Sequence, residues 1–259
     1  MASVTYSTQA LVLKKTKLSE SDLILTLLLS DGSQKQVVAK GARKPTSSFS
    51  SRLELFSLVD LLCAEGKSLD IVKEARLQKG HEAMRERIEL TYAGSPLLEL
   101  LVKVSQPGLA NEKLYLSTLA ALDAMCESSE QMAPGICAAQ ILKVLAFEGL
   151  RPSLRNCVGC GSPVDFNEAN THRHEPLFSM SEGGLVCPVC AASADCLRLN
   201  AHTLKWADYL LRSPYSDIVT QNLEAGASFD VLRFCQGLVH AQLGLRLKSL
   251  DMLFTCGFF

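Results

Sequence analysis

"SDLILTLLLSDGSQKQVVAKGARK", residues 21–44, decides how the first third of the chain is read. It opens with an apolar, β-rich run, Leu23–Leu29. Asp31–Gly32 follows, a dipeptide suited to a tight turn because glycine supplies positive φ at no steric cost. A second run, "SQKQVVAKG", comes directly after the turn. Two such runs joined by so short a link predict a β-hairpin. The first run is also far too short to cross a bilayer, which takes roughly 20 apolar residues.

Working outward, "YSTQALVLKK" before the hairpin reads as another strand. "KPTSSFSSR", 44–52, is polar and Ser-rich, and reads as a loop. "LELFSLVDLLCAEGKSLDIVKEARL" offers two more strands around the turn "EGKS". Five strands with turns at short intervals predict a small closed or nearly closed barrel, an architecture that removes exposed sheet edges. The five-stranded OB type fits this count.

From His81 onward the pattern turns helical. "SPLLELLVKV" predicts a helix with Ser95 as N-cap and Pro96 at its first position. "NEKLYLSTLAALDAMCE" predicts a second, capped by Asn111, with Leu114, Leu116, Leu119, Leu122 and Met125 on its apolar face. "PGICAAQILKVLAFEGL" is apolar nearly all round and predicts a central helix ending near Gly149. "NAHTLKWADYLL" and "SFDVLRFCQGLVHAQLG" add two more, the latter with Val231, Phe234, Cys235, Leu238 and Val239 on one face. The expected architecture is α+β and multidomain. A barrel at 1–80 precedes a helical domain of 81–153 and 197–259, and a cysteine module, 154–196, is inserted in the latter.

That module carries Cys157, Cys160, Cys187 and Cys190, spaced C-x₂-C-x₂₆-C-x₂-C. Two residues between cysteines let both thiolates bend toward one point, and two such turns suit tetrahedral zinc. Gly159, Gly161 and Pro188 fit tight knuckles. Four thiolates leave no open coordination position, so one structural Zn²⁺ is expected rather than a catalytic one. The 26 residues between the pairs have room for a small hairpin. Redox dithiols are the competing use, but no βαβ unit accompanies them. "THRHEP", 171–176, raises His172 or His174 as a substitute ligand, and both read as exposed loop residues. A base deaminase needs H-x-E with P-C-x-x-C, and the order here matches neither half. Cys63, Cys126, Cys137, Cys196, Cys235 and Cys256 are scattered and read as buried, free thiols.

Charge is uneven. Residues 1–80 hold twelve Lys/Arg against eight Asp/Glu, a net of +4, while the remainder is at −5. A positive amino-terminal end suggests an anionic partner, although a solvated loop carries the same pattern. The candidate nucleic-acid contacts are Lys14, Lys15 and Lys17 after the first strand, Lys35 and Lys40 on the third, then Arg43, Lys44 and Arg52 around the Ser-rich loop. Phosphate contacts from such residues give affinity without sequence preference. Gly41 would let backbone approach a ligand. Among few aromatic residues, Phe49 is the stacking candidate and Phe56 reads as core. The absence of a signal-like start predicts a soluble, cytoplasmic protein without membrane partners.

The run "ESD", the step "AKGARK" and the later strand "LDIVKEA", in this order and spacing, resemble the amino-terminal domain of the bacterial recombination mediator RecO family. The helical body with its embedded four cysteines extends the resemblance over essentially the whole chain. The likeness implies a non-enzymatic, RecF-pathway DNA repair protein of the bacterial cytoplasm and nucleoid. Such proteins bind single- and double-stranded DNA and anneal complementary strands. With RecR they help RecA replace single-strand DNA-binding protein, whose acidic tail they contact; RecA is engaged indirectly, and no small-molecule substrate is implied. On this resemblance Lys40, Arg43 and Lys44 match the family's basic step, and Cys157, Cys160, Cys187 and Cys190 its zinc ligands. A zinc hydrolase, a dithiol oxidoreductase and a scaffold gripping an acidic protein are the competing classes.

Overall fold

A computed structural model describes residues 4–49, 51–165, 175–221 and 223–259. The chain forms two compact units, Met1–Cys126 and Glu127–Phe259.

The first unit begins with five strands: β1 (Thr5–Lys17), β2 (Leu23–Leu29), β3 (Gln34–Ala39), β4 (Leu58–Ala64) and β5 (Asp70–Lys79). Their pairings form a closed ring in the order β1-β2-β3-β5-β4, the five-stranded barrel read from the sequence. β1 makes closure possible. Its first half pairs with β4 and its second half with β2, and the register shifts between Val12 and Lys14, where Leu13 is the extra residue. Such a bulge bends a strand and increases its twist. The final contact, β3 to β5, is parallel and only two residue pairs long, Val37–Asp70 and Val38–Ile71.

Inside the ring, Ala10, Val12, Leu25, Leu27, Val37, Val59, Leu61 and Val72 form the core. β2 lacks an alternating pattern because it is buried on both faces: Thr26 and Leu28 are as enclosed as Leu25 and Leu27. The β2–β3 turn is the one read from Asp31–Gly32. Asp31 Oδ1 accepts from the Ser33 backbone N–H at 2.8 Å, and Gly32 has φ +82°. A Cβ at Gly32 would lie 1.9 Å from the Asn111 carbonyl oxygen, so this turn has no room for any side chain.

Helices α1 (Ala83–Glu86), α2 (Ile88–Val104) and α3 (Glu112–Glu127) complete the unit, and α2 packs against β1. Two helical expectations are corrected. Ser95 and Pro96 do not start a helix; they lie in the middle of α2. An interior proline removes one backbone hydrogen bond and costs about 3 kcal/mol. Here Pro96 is buried among Ala93, Leu97, Leu100 and Leu101, and the packing of that face outweighs the penalty. On α3, Asn111 caps as expected, accepting from the Leu114 N–H at 3.3 Å, but Leu116 is 54% exposed. The buried face runs through Leu114, Tyr115, Thr118, Ala121, Leu122 and Met125 instead.

In the second unit, α4 (Ala133–Phe147) packs on both α5 (Ala201–Arg212) and α7 (Ala225–Leu243), and α5 also packs on α7. α4 is buried from Ala133 through Leu142, as its all-round apolarity requires. α6 (Tyr215–Ile218) contacts α4, and α8 (Lys248–Thr255) contacts α7. Lys143 caps α5 from the side, donating to the Leu210 and Ser213 carbonyls at 3.0 and 2.7 Å. Among the described residues no helix is long and apolar enough to cross a membrane.

Candidate nucleic-acid interface and metal centre

The basic residues of the barrel separate into three groups. Lys14, Lys17, Lys40 and Lys44 are exposed and have no ion-pair partner among the described residues. Lys17 pairs with Leu23, which pairs with Ala39, so Lys17 and Lys40 meet at one end of the barrel. Arg43 joins them by a specific device. Its guanidinium donates to the Ser19 and Glu20 carbonyls at 2.9 and 2.7 Å, and its N–H donates to the Ser21 carbonyl at 3.0 Å. Asp22 Oδ1 accepts the Gly41 N–H at 2.8 Å, and this bond is the main cause that holds its carboxyl below the usual range. The "ESD" run and the "AKGARK" step therefore grip each other. Gly41, with φ +66°, has its N–H committed to this contact. Arg43 is held by neutral carbonyls and has no ion pair among the described residues.

Lys15 and Lys35 form a second group, each neutralised by a carboxylate. Lys15 Nζ lies 2.6 Å from Glu54, and Lys35 Nζ lies 2.8 Å from Asp70 and above the Tyr6 ring. Lys35 pairs with the core residue Leu27, so it points to the inward side, at a mouth of the barrel.

Arg52 belongs to a different surface. A groove of about 720 Å³ runs across β1, β4 and β5, walled by the Ser-rich loop through Phe49 and Arg52. The strand registers align Gln9 with Asp60 and Arg76, and Ser7 with Leu62 and Glu74, in outward-facing rows. Lys73 stands where the β4–β5 register shifts, as the extra residue of a bulge. Lys73 and Arg76 line the groove beside Arg52 and were not among the residues singled out from sequence; their only signal is the alternation of "VKEAR". Arg52 is fixed by donating to the Ala75 carbonyl at 3.1 Å and has no ion pair among the described residues, although Asp60 and Glu74 line the same groove. Phe49 is half-buried against the barrel core while forming a groove wall, and Phe56 is buried.

In the second unit the four cysteine sulfurs converge. Those of Cys157, Cys160, Cys187 and Cys190 all lie within 4.8 Å of one another, and Cys160 and Cys187 are 3.7 Å apart. A tetrahedron with metal–thiolate bonds of about 2.3 Å has edges of about 3.8 Å, so the donor set fits a tetrahedral metal ion. The Cys187 backbone N–H, 3.3 Å from the Cys157 sulfur, is the main cause that holds that thiol down at about 6, followed by the Cys160 N–H. Cys190, crowded first by Cys187 and then by Cys160 and Cys157, is pushed up to about 12. Four thiols this close cannot all ionise without a cation among them.

The segment between the pairs contributes the expected hairpin, β6 (Leu177–Ser179) with β7 (Gly184–Val186), and β8 (Leu197–Arg198) pairs with β6. His172 and His174 lie outside the described residues. The hairpin is anchored on α7: Phe178 meets Phe234 edge to face at 5.1 Å, and Gln242 donates to the Met180 carbonyl at 2.6 Å. Arg155, two residues before the first cysteine, bonds Asp208 of α5 at 2.7 Å.

Comparison with known proteins gives this arrangement a family. The profile described as "Recombination protein O N terminal" matches residues 1–81, and "Recombination protein O C terminal" matches 85–251. The chain belongs to the RecO family. Among its relatives, the DNA repair protein RecO of Symbiobacterium thermophilum is 28% identical over 96% of this chain and 97% of its own length. The RecO of Bifidobacterium adolescentis is 34% identical, covering 70% and 72%. That of Alkaliphilus metalliredigens is 29% identical, covering 82% of each. The RecO family is one of DNA repair and recombination, and the resemblance drawn from the "ESD" and "AKGARK" segments stands.

Proposed function

We propose that this protein is a DNA-binding mediator of recombinational repair that acts through binding free energy and breaks no bond of its substrate. In this reading the barrel, 1–80, holds single- and double-stranded DNA, and two strands so held anneal when complementary. With RecR, and through the acidic tail of single-strand DNA-binding protein, it helps RecA onto DNA in the bacterial cytoplasm. The observation that carries the reading is the barrel end where Lys17, Lys40, Arg43 and Lys44 meet, four cations without an ion pair among the described residues, with Asp22 the acid that Lys40 helps hold down. Arg52, Lys73 and Arg76 add cations in the groove, where Asp60 and Glu74 offset two of the three. Lys15 and Lys35, ion-paired within the barrel, are weaker contacts in this account, and Lys14 flanks the first cluster.

Fluorescence anisotropy with labelled oligonucleotides tests it. Lys40→Glu with Lys44→Glu should weaken binding to all sequences alike and flatten the log–log salt dependence by about 2, one phosphate contact each. Unchanged affinity would remove this site. Arg43 is a poorer probe because its loss also frees the 19–22 loop.

The ion at the four cysteines is proposed to be one structural zinc, since four thiolates fill every tetrahedral corner. It would pin the 154–196 insertion onto α5 and α7, which Arg155 and Phe178 already contact. Metal analysis should find one zinc per chain.

A further inference from the structure

The described residues carry a second surface suited to an unpaired strand, in the unit opposite in sequence to the barrel. Helix α5 buries Thr203, Leu204, Ala207, Leu210 and Leu211. His202, Trp206 and Tyr209, spaced four and three residues apart, fall within roughly 60° of one another on the outer side. A ring stripe at helical spacing is ordinarily core, but here His202 is exposed and the other two are half-exposed. Neighbouring rings meet edge to face at 6.2 and 5.7 Å. Trp206 Nε1 donates to His202 Nε2 at 3.0 Å, and the Tyr209 hydroxyl donates to the Asp217 carbonyl at 3.3 Å. The ladder is therefore held in place before any partner arrives.

Cations flank it. Arg155 and Arg212 are 59% and 44% exposed, and both are oriented by the single carboxylate of Asp208, at 2.7 and 2.8 Å. Arg151 is exposed, without an ion-pair partner among the described residues, and lines a 240 Å³ recess with Arg155, Arg212 and Leu211. Lys205 stands at an adjoining recess of 420 Å³ with Asp165. Around rings that stand on the surface, Arg151, Arg155, Lys205 and Arg212 are thus met by Asp165, Asp208 and Asp217, an excess of one positive charge. An acidic peptide would favour a deep apolar hole beside a focused cation. Rings in series beside distributed cations match bases to stack and phosphates to neutralise.

We propose that the outer face of α5, with Trp206 at its centre, is a second binding surface for single-stranded nucleic acid. The proposal deepens the mediator reading and rests on it: a chain with two such surfaces can hold two strands at once, as annealing requires.

Trp206 is the one tryptophan of the sequence, so its emission reports this face alone. Titrating the full chain with oligo-dT is expected to quench Trp206, with the quench reversed by salt. Tyr209→Ala with Arg151→Glu should weaken the affinity read from quenching by about tenfold, while anisotropy still reports binding through the barrel. Should Tyr209→Ala unfold the chain, Arg151→Glu alone carries the test through its salt dependence. Lys40→Glu with Lys44→Glu should do the reverse, lowering total affinity while oligo-dT at saturation still quenches. Binding by anisotropy with Trp206 emission unchanged overturns this surface and leaves the barrel reading standing. No binding by either readout overturns the barrel reading itself. Quenching by an Asp-rich peptide but not by oligo-dT overturns the proposal in favour of a protein partner.

Discussion

At the mouth of the barrel the Asp70 carboxylate accepts from Lys35 and, at 2.6 Å, from the Tyr6 hydroxyl. Lys35 is the larger cause, and together they hold Asp70 down at about 2. Tyr6 is pushed up to about 12, first by burial and then by Asp70. Because the folded value lies below the unfolded one near 3.8, the stabilisation is fully present above about pH 4. It is lost as pH falls through 2. Asp70→Asn should cost about 1 kcal/mol at neutral pH, allowing for solvent screening, and should flatten the acid limb of the first unit's stability between pH 4 and 2. Chemical denaturation across that range checks both. Lys35 also marks a limit of reading single residues. Its type and strand were plain from "SQKQVVAKG", but its role depends on Asp70, 35 positions away, and only the β3–β5 pairing brings the two together. Arg52, by contrast, reached a groove whose other cations, Lys73 and Arg76, depend on strand register and one bulge.

Elements were legible where local chemistry and packing agree. The Asp31–Gly32 hairpin, the Asn111 cap and the all-apolar α4 follow from short-range signals, and tertiary contacts reinforce them. Ser95–Pro96 has the form of a helix start, yet α2 passes through it because its apolar face is buried on both sides of the proline. The four cysteines are the clearest case: their spacing alone indicated convergence, and the 3.7 Å sulfur separation bears it out. What spacing could not give was the anchorage through Phe178 and Arg155. Cys157→Ser with Cys160→Ser should abolish metal binding, and the folding free energy that comes with it, around the hairpin. The readouts are metal content and soluble yield, with oligonucleotide affinity at the barrel largely retained. A soluble, stable double variant that has lost DNA binding would place the clasp in direct contact with DNA.

At the scale of the molecule, element order was readable, and the boundary read at residue 80 coincides with the change from one family profile to the other, 1–81 and 85–251; the compact units are divided differently. The strand-to-helix change near residue 80 stands out in composition, whereas the compact units part at 126/127, since α2 and α3 belong with the barrel. No local signal marks that point; it follows from which apolar faces meet. The division has a thermodynamic corollary. A chelator at neutral pH should lower the melting transition of Glu127–Phe259, while Asp70→Asn at the same pH should act on that of Met1–Cys126. Calorimetry with each perturbation applied separately distinguishes them.

The brevity of the parallel β3–β5 contact has a kinetic meaning of its own. A ring is as persistent as its weakest link, and two rungs are few to rupture. Breathing at that point would turn the cylinder into a curled ribbon with two bare margins, each able to recruit a foreign strand. Amides at Val38 and Ile71 should accordingly be among the first of the barrel's ladder to trade protons with heavy water.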